Sequence, residues 1–245
     1  MSTSLVWISG ASSGIGAALA ATAPRDGTRL IGVSRRPPAV GEHLEADLAE
    51  PASWALVGQS FEHELAGWSG DRVVFVHAAG VVDPIGFAGE VATDAYVRNV
   101  ILNSAAGQVL GHLFLAATKD LDARRHVVML TSGAAKSVYP GWASYGAGKA
   151  ALDQWVRDAG AEQELRGGAR VVAIAPGTVD TGMQRLLRET EERDFPKRQK
   201  FVDLHRERAL GDPEQVAQQI WALLDRELEN GAVVDLRDLS PAAEG

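Results

Sequence analysis

Short apolar runs recur along the chain at 5–9, 29–34, 72–77, 126–131, 170–175 and 232–236, and most are nearly continuous in Val, Ile and Leu. A strand with one wet face alternates apolar and polar positions. An unbroken apolar run instead suits a strand covered on both faces, as in a parallel sheet. Between these runs, apolar positions recur at helical spacing over 15–23, 51–66, 93–118, 143–165 and 213–227. Asp212 followed by Pro213 marks the start of the last of these, an N-cap residue followed by proline at the first helical position. The alternation of strand and helix predicts an α/β domain with a doubly wound parallel sheet and helices on both faces.

Two segments depart from that rhythm. The stretch 182–210 is rich in Arg and Glu, with Phe195, Pro196, Phe201 and Leu204 scattered through it. A long excursion between a strand and the next helix is a lid or binding loop, or else a solvated helical hairpin; composition leaves both open. Between Arg98 and Lys119 lie twenty uncharged residues, which approach membrane-spanning length. Asn99, Asn103, Ser104, Gln108 and His112 recur through them, and polar groups are expensive at bilayer depth. A helix buried between the sheet and a partner subunit fits better, so no membrane association is expected.

Of the 245 residues, 46% are hydrophobic and 23% charged, enough apolar material for a sizeable core. The net charge of -8 disfavours a nucleic-acid partner, which needs a basic stripe. With no cysteine, disulfides, thiolate nucleophiles and Cys-ligated metals are excluded. The six histidines are dispersed without a His-x-x-x-His pair, and no metal is expected. The first residues run directly into an apolar strand without a basic stretch or cleavage site, so a cytoplasmic location is expected.

The chemistry concentrates at a few positions. Tyr145 and Lys149 are four apart in a predicted helix, so they share one face. A free tyrosine has a pKa of about 10, and a neighbouring ammonium is expected to pull it toward neutrality. Ser132, thirteen residues earlier, can hold the oxygen of a carbonyl that receives the proton. Gly10, Gly14 and Gly16 fall between the first strand and first helix, where glycine lets backbone approach a pyrophosphate and the helix N-terminus favours an anion. The second strand ends in Ser34-Arg35-Arg36, where a site for NAD would place a carboxylate on the ribose. Guanidinium groups suit a 2′-phosphate, so the expected cofactor is NADP(H), with Arg35 the first contact and Arg36 the second.

These motifs resemble the short-chain dehydrogenase/reductase family along essentially the whole chain, and that resemblance implies a single-domain Rossmann fold. SGASSGIG resembles the family's cofactor loop, which implies Ser12, Ser13 and Ile15 as further phosphate-side contacts. Asp47 and Leu48 match its adenine-flanking pair. His77-Ala78-Ala79-Gly80 stands where the family carries Asn-Asn-Ala-Gly, so side-chain bonds are lost there while backbone contacts near Ala79 and Gly80 are expected to persist. Asn103 falls at the position of a structural, proton-relay asparagine, with Asn99 a competing candidate. Pro176, Gly177, Val179 and Thr181 resemble the segment that contacts the nicotinamide carboxamide.

Within the family, HAAGVVDPIG, SGAAKSVYPGWASYGAGKAALD and PGTVDTGMQ with a following DFP are more similar to the sepiapterin reductase and benzil reductase branch. The resemblance implies an NADPH-dependent carbonyl reductase in which Tyr145 protonates a small-molecule ketone, Lys149 lowers the Tyr145 pKa and hydrogen-bonds the nicotinamide ribose, Ser132 positions the carbonyl, and Asn103 supports a water-linked proton path to Lys149; Tyr145 and Lys149 thus also count among the cofactor-binding residues. Trp142, Met183 and Leu187, with Tyr139, Pro140 and Leu186, are expected to wall an apolar pocket for an aromatic or vicinal dicarbonyl compound. The uncharged helix and the one carrying Tyr145 resemble the family's dimer interface, which implies a homodimer or homotetramer. Two alternatives stay open: an NADP(H)-binding sensor or structural protein on the same fold, and an alcohol dehydrogenase working in the oxidative direction.

Overall fold

The apolar runs pair side by side in the computed structural model, which describes residues 3–24, 27–226 and 228–239. In chain order the strands are β1 (Ser4–Ser9), β2 (Thr28–Ser34), β3 (Glu42–Glu45), β4 (Arg72–His77), β5 (Arg124–Leu130), β6 (Arg170–Ala175) and β7 (Val233–Asp235). They form one seven-stranded parallel sheet in the order β3-β2-β1-β4-β5-β6-β7. The chain winds outward from β1 to β3, then crosses back to place β4 against the other side of β1. That reversal makes the carboxyl ends of β1 and β4 the switch point, where α/β sheets bind their ligands.

The helices are α1 (Gly14–Thr22), α2 (Trp54–Leu65), α3 (Thr93–Val100), α4 (Ala106–Thr118), α5 (Ala143–Arg166), α6 (Gly182–Glu189), α7 (Arg198–Arg206), α8 (Pro213–Leu224) and α9 (Leu236–Leu239). Alternate strand residues supply two separate cores, because successive side chains of a strand point to opposite faces. Val6, Ile8, Val74, Val76, Val128 and Val172 pack beneath α1 and α8. Leu5, Trp7, Val73, Phe75, Val127 and Val171 pack beneath α2, α4 and α5. The second core centres on Trp7, Phe61, Phe75 and Phe114, whose rings meet mostly edge to face, with Trp7 and Phe61 5.1 Å apart. Trp54, Trp68 and Trp155 flank that core and Trp221 lies in the other, so these indoles are accounted for by packing.

Several elements differ from the sequence reading. β3, with the polar sequence EHLE, is an edge strand with mostly exposed side chains, so it never needed an apolar run. The single helix expected over 93–118 is interrupted by a π-helical turn at Ile101–Ala105, between α3 and α4. β5 starts at Arg124 and stops before Thr131, β7 is shortened to three residues, and α8 ends at Leu224; Glu227 lies outside the described residues. The excursion at 182–210 folds into α6 and α7, whose Leu187, Phe195 and Phe201 form a third core with Val82, Trp142 and Tyr145. It is therefore helical and also roofs the switch-point cleft.

The helical stretch Thr93–Thr118 is long and apolar enough to cross a membrane by length and composition, but it packs on the sheet beside α2 and α5. Only 33% of its most apolar window is buried, and Val97 and Val100 are exposed on it.

Candidate active site

The cleft opens at the carboxyl ends of β1, β4, β5 and β6 with a volume of about 510 Å³, and a wing of about 280 Å³ extends over the end of β2. Gly10, at φ +74°, presses the β1–α1 loop against β4: a Cβ there would lie 2.9 Å from the backbone of Ala79. Gly14 opens α1, and Gly16 sits within its first turn, where a Cβ would come 2.3 Å from the Gly10 carbonyl oxygen. Only glycine permits that closeness, which draws the N-terminus of α1 into the cleft. Among the described residues Ser13, which precedes α1, makes no side-chain cap bond, leaving the first-turn amides to an anion. This cradle fits the pyrophosphate of a dinucleotide.

Ser12, Ser13, Arg35, Arg36, Asp47 and Leu48 line the wing together with Ala79 and Gly80, and Ser13, Ile15 and Arg36 also border the main cleft. The two guanidiniums follow β2 on an exposed turn. Burial works against ionisation of Asp47, but the Ala49 amide and Arg98 accompany it at 3.0 Å each and hold its carboxyl below the ordinary value.

The reacting groups gather around β5 and α5. Ser132 follows β5 and its Oγ accepts from the Ala134 amide at 3.1 Å, capping a short 3₁₀ turn at Gly133–Ala135. The same hydroxyl hydrogen-bonds the Tyr145 phenol. Lys149 lies one turn on along α5, its Nζ 5.9 Å from the Tyr145 ring centre and donating to the Leu130 carbonyl at 2.8 Å. Both are buried.

Here the electrostatics correct the sequence reading. Burial pushes the Tyr145 phenol above its ordinary value, against the lowering influence of the Ser132 hydrogen bond. Lys149 itself is lowered by burial to about 8, against the attraction of Asp153. A low-dielectric site penalises both charged forms, and here that penalty exceeds what the neighbours return. At neutral pH the arrangement is a protonated phenol beside an ammonium.

Asn103 sits in the π-turn, fully buried, with both polar atoms committed: Oδ1 accepts from the Val81 amide at 3.1 Å and Nδ2 donates to the Val81 carbonyl at 2.7 Å. Its side chain thus clamps the loop after β4 with one of its two N–H donors and one oxygen lone pair. Asn99, one turn earlier, donates to the Asp83 carbonyl at 2.6 Å and grips the same loop. Gly80 lies between Asn103 and Lys149; a Cβ there would sit 2.8 Å from Asn103 Oδ1 and 3.5 Å from Lys149 Nζ.

On the opposite bank, Pro176, Gly177, Thr178, Val179 and Thr181 follow β6 and border the cleft. Gly211 tethers them, donating to the Thr178 carbonyl at 2.8 Å and accepting from the Asp180 amide at 2.9 Å. Trp142, Met183 and Leu187 line the cleft as expected, with Tyr139 and Leu186; Pro140 does not. The Trp142 ring lies 5.0 Å from Tyr145 and 4.7 Å from Phe195. Lys200 donates to the Tyr139 hydroxyl at 2.9 Å, and Lys197 stands over the same ring at 4.7 Å.

Sequence reasoning missed Gln184, Lys200, Phe201 and Arg237, which also border the cleft. Phe201 stood out only as an aromatic in a charged excursion. Arg237 had no sequence signal: it reaches the cleft from α9, directly after β7, where Asp235 holds it in a two-point ion pair.

A family model described as short chain dehydrogenase matches residues 4–192. The chain belongs to the short-chain dehydrogenase/reductase family. Members of this family are oxidoreductases that use a nicotinamide dinucleotide, in keeping with the cradle at Gly10–Gly16. Over 236 residues, 94% of this chain and 97% of its relative, it is 33% identical to benzil reductase ((S)-benzoin forming) of Bacillus subtilis (strain 168). Sepiapterin reductase of Mus musculus is 39% identical over 113 residues, 46% of this chain and 42% of the relative. Among solved structures, that of the KRED1-Pglu enzyme superposes with a TM-score of 0.81 at 25% identity, covering 95% of this chain and all (100%) of the other. The two branches suggested by the short motifs are thus both found among its relatives.

Proposed function

We propose that this protein is an NADPH-dependent carbonyl reductase that reduces an aromatic or vicinal dicarbonyl compound to the corresponding hydroxyketone or alcohol. The observation that carries the reading is the Ser132–Tyr145–Lys149 group, its tyrosine and lysine buried, in an aromatic-walled cleft that also holds the dinucleotide cradle. When bound, the cofactor supplies the hydride that adds to the carbonyl carbon. The C=O π bond breaks, and the oxygen takes its proton from Tyr145 Oη. The Ser132 hydroxyl orients that oxygen, and the Lys149 ammonium stabilises the phenolate left on Tyr145.

Burial of Tyr145 supports the reductive direction, because a phenol held protonated at neutral pH is ready to act as the acid. Trp142, Tyr139 and Phe201 offer ring faces to an aromatic substituent, and Met183, Leu186 and Leu187 complete an apolar wall. Asn103 and Asn99 act by holding the 80–83 loop at the cofactor's edge. The similarity to benzil reductase, which extends over nearly the whole of both chains, favours an aromatic 1,2-diketone as substrate. The exposed apolar side chains of α3 favour a second copy as partner, in a homodimer or homotetramer. Its expected location is the cytoplasm.

Following NADPH absorbance with an aromatic 1,2-diketone, with NADH in parallel, tests the reading. NADPH is expected to be consumed well in preference to NADH. Arg35→Ala is expected to raise the KM for NADPH about 10- to 150-fold, the range for losing a hydrogen bond to a charged group, while leaving NADH kinetics unchanged. Equal use of both cofactors by the unmodified enzyme overturns the 2′-phosphate assignment, and the absence of turnover with any 1,2-diketone overturns the substrate class.

A further inference from the structure

The pairing of β1 with β4 sets Ser9 directly beside His77, and neither is among the groups placed in the reaction above. Both are fully buried. Ser9 Oγ lies 2.9 Å from His77 Nδ1. The same oxygen accepts from the Ala78 amide at 3.1 Å and the Ala79 amide at 3.2 Å. A hydroxyl oxygen has two lone pairs, and those amides occupy both. Its own proton is left to donate, and Nδ1 is the acceptor in reach. Nδ1 is therefore unprotonated, and the ring is the neutral tautomer with its proton on Nε2.

The surroundings agree with that assignment. Burial, followed by the Lys149 charge, lowers the His77 pKa to about 3, against an opposing influence from the Leu102 carbonyl, so the ring stays neutral throughout the working range. Among the described residues Nε2 finds no hydrogen bond of full geometry, and it is wedged against α4: a Cβ on Gly107 would come 3.2 Å from Nε2 and 3.0 Å from Cδ2. A ring fixed on one side by helix backbone presents Nδ1 to Ser9 in a single orientation.

We propose that His77 is a positioning residue: by accepting the Ser9 hydroxyl proton it turns both Ser9 lone pairs onto the Ala78 and Ala79 amides, and so fixes the ribose side of the cofactor site. This deepens the NADPH reading above and rests on it. Without an acceptor at Nδ1, the hydroxyl rotates to another acceptor; the Ala78 amide keeps the Ser9 carbonyl at 3.2 Å, but the Ala79 amide loses its hydrogen bond to Ser9 Oγ. The Ala79–Gly80 backbone, which borders both the cleft and its wing, then loosens. His77 stands where the family resemblance leads one to expect asparagine, whose Oδ1 falls close to the place of a histidine Nδ1.

The test compares His77→Asn, which keeps the acceptor, with His77→Leu, which removes it, and adds Ser9→Ala and the double variant Ser9→Ala/His77→Leu. NADPH dissociation constants are read beside melting temperatures. His77→Leu and Ser9→Ala are each expected to weaken NADPH about tenfold, the double variant no further than either single, and His77→Asn to stay within about threefold of the unmodified protein. Multiplying effects in the double variant, or equal losses in His77→Asn and His77→Leu, overturn the proposal and leave His77 a packing residue. If His77→Leu does not fold, Ser9→Ala and the ¹⁵N spectrum of the unmodified protein decide. A neutral ring protonated on Nε2 together with the tenfold loss in Ser9→Ala supports the proposal; a proton on Nδ1, or full NADPH affinity in Ser9→Ala, overturns it. Unmodified protein that binds no NADPH overturns the functional reading itself, and the inference with it. Tight binding by the unmodified protein and all variants alike overturns the positioning role alone.

Discussion

Replacing Tyr145 with phenylalanine is expected to lower kcat by about 10²- to 10⁴-fold, the usual worth of a positioned acid. The substitution removes one oxygen and keeps the ring that packs on Trp142, so the third core stays filled. Its structural cost is the phenol–Ser132 hydrogen bond, about 1 kcal/mol. NADPH affinity should barely change, because the phenylalanine ring leaves the Gly10–Gly16 cradle and the Arg35–Arg36 turn as they were. A fall in kcat with an unchanged dissociation constant for NADPH isolates the acid. Turnover close to that of the unmodified enzyme removes Tyr145 from the mechanism.

The second large effect couples activity to stability with opposite signs. Lys149→Met should lower kcat by about 10²- to 10³-fold, the range for losing one preorganised charge-stabilising donor. Yet it should not cost stability at pH 7. Burial moves Lys149 from 10.5 to about 8, so keeping it charged costs the folded state about 3 kcal/mol. Methionine removes that cost but leaves the Leu130 carbonyl without its 2.8 Å partner, a loss of about 1–3 kcal/mol. The pH dependence gives the sharper readout. Below about pH 8 the lysine is protonated in folded and unfolded chains alike, and the burial cost is complete. Between about pH 8 and pH 10.5 the folded chain has released the proton while the unfolded chain retains it, so the unmodified protein gains stability as pH rises. The stability of the methionine variant relative to the unmodified protein should therefore fall by about 3 kcal/mol from pH 7 to pH 10.5, as measured by denaturant unfolding. A difference that does not move with pH means that Lys149 is not held near 8.

How far the sequence carried these conclusions depended on whether a feature is local. Strands covered on both faces announce themselves as apolar runs, so the five interior strands and the apolar edge strand β7 were legible, while the polar edge strand β3 had no such run to read. Tyr145 and Lys149 were legible because helix geometry fixes residues four apart on one face. Their acid–base state was not, since it depends on how much of α5 the third core buries. The π-turn at Ile101–Ala105 leaves no mark on hydrophobic periodicity, yet it carries the asparagine that clamps the loop at Val81. Lys200, Phe201 and Arg237 reach the cleft only because the 182–210 excursion and the chain after β7 fold back over it. Ser9 and His77, 68 residues apart, meet through the register of β1 with β4, which no local pattern reveals.

The proposed activity is tested most directly by incubating the protein with an aromatic 1,2-diketone and NADPH deuterated at C4 of the nicotinamide, then locating the label in the product. As an NADPH-dependent carbonyl reductase, the enzyme should place deuterium on the carbinol carbon of a hydroxyketone, one atom for each NADPH oxidised, from only one of the two C4-deuterated forms. NADPH bound tightly but never oxidised, or product formed without the label, contradicts that activity.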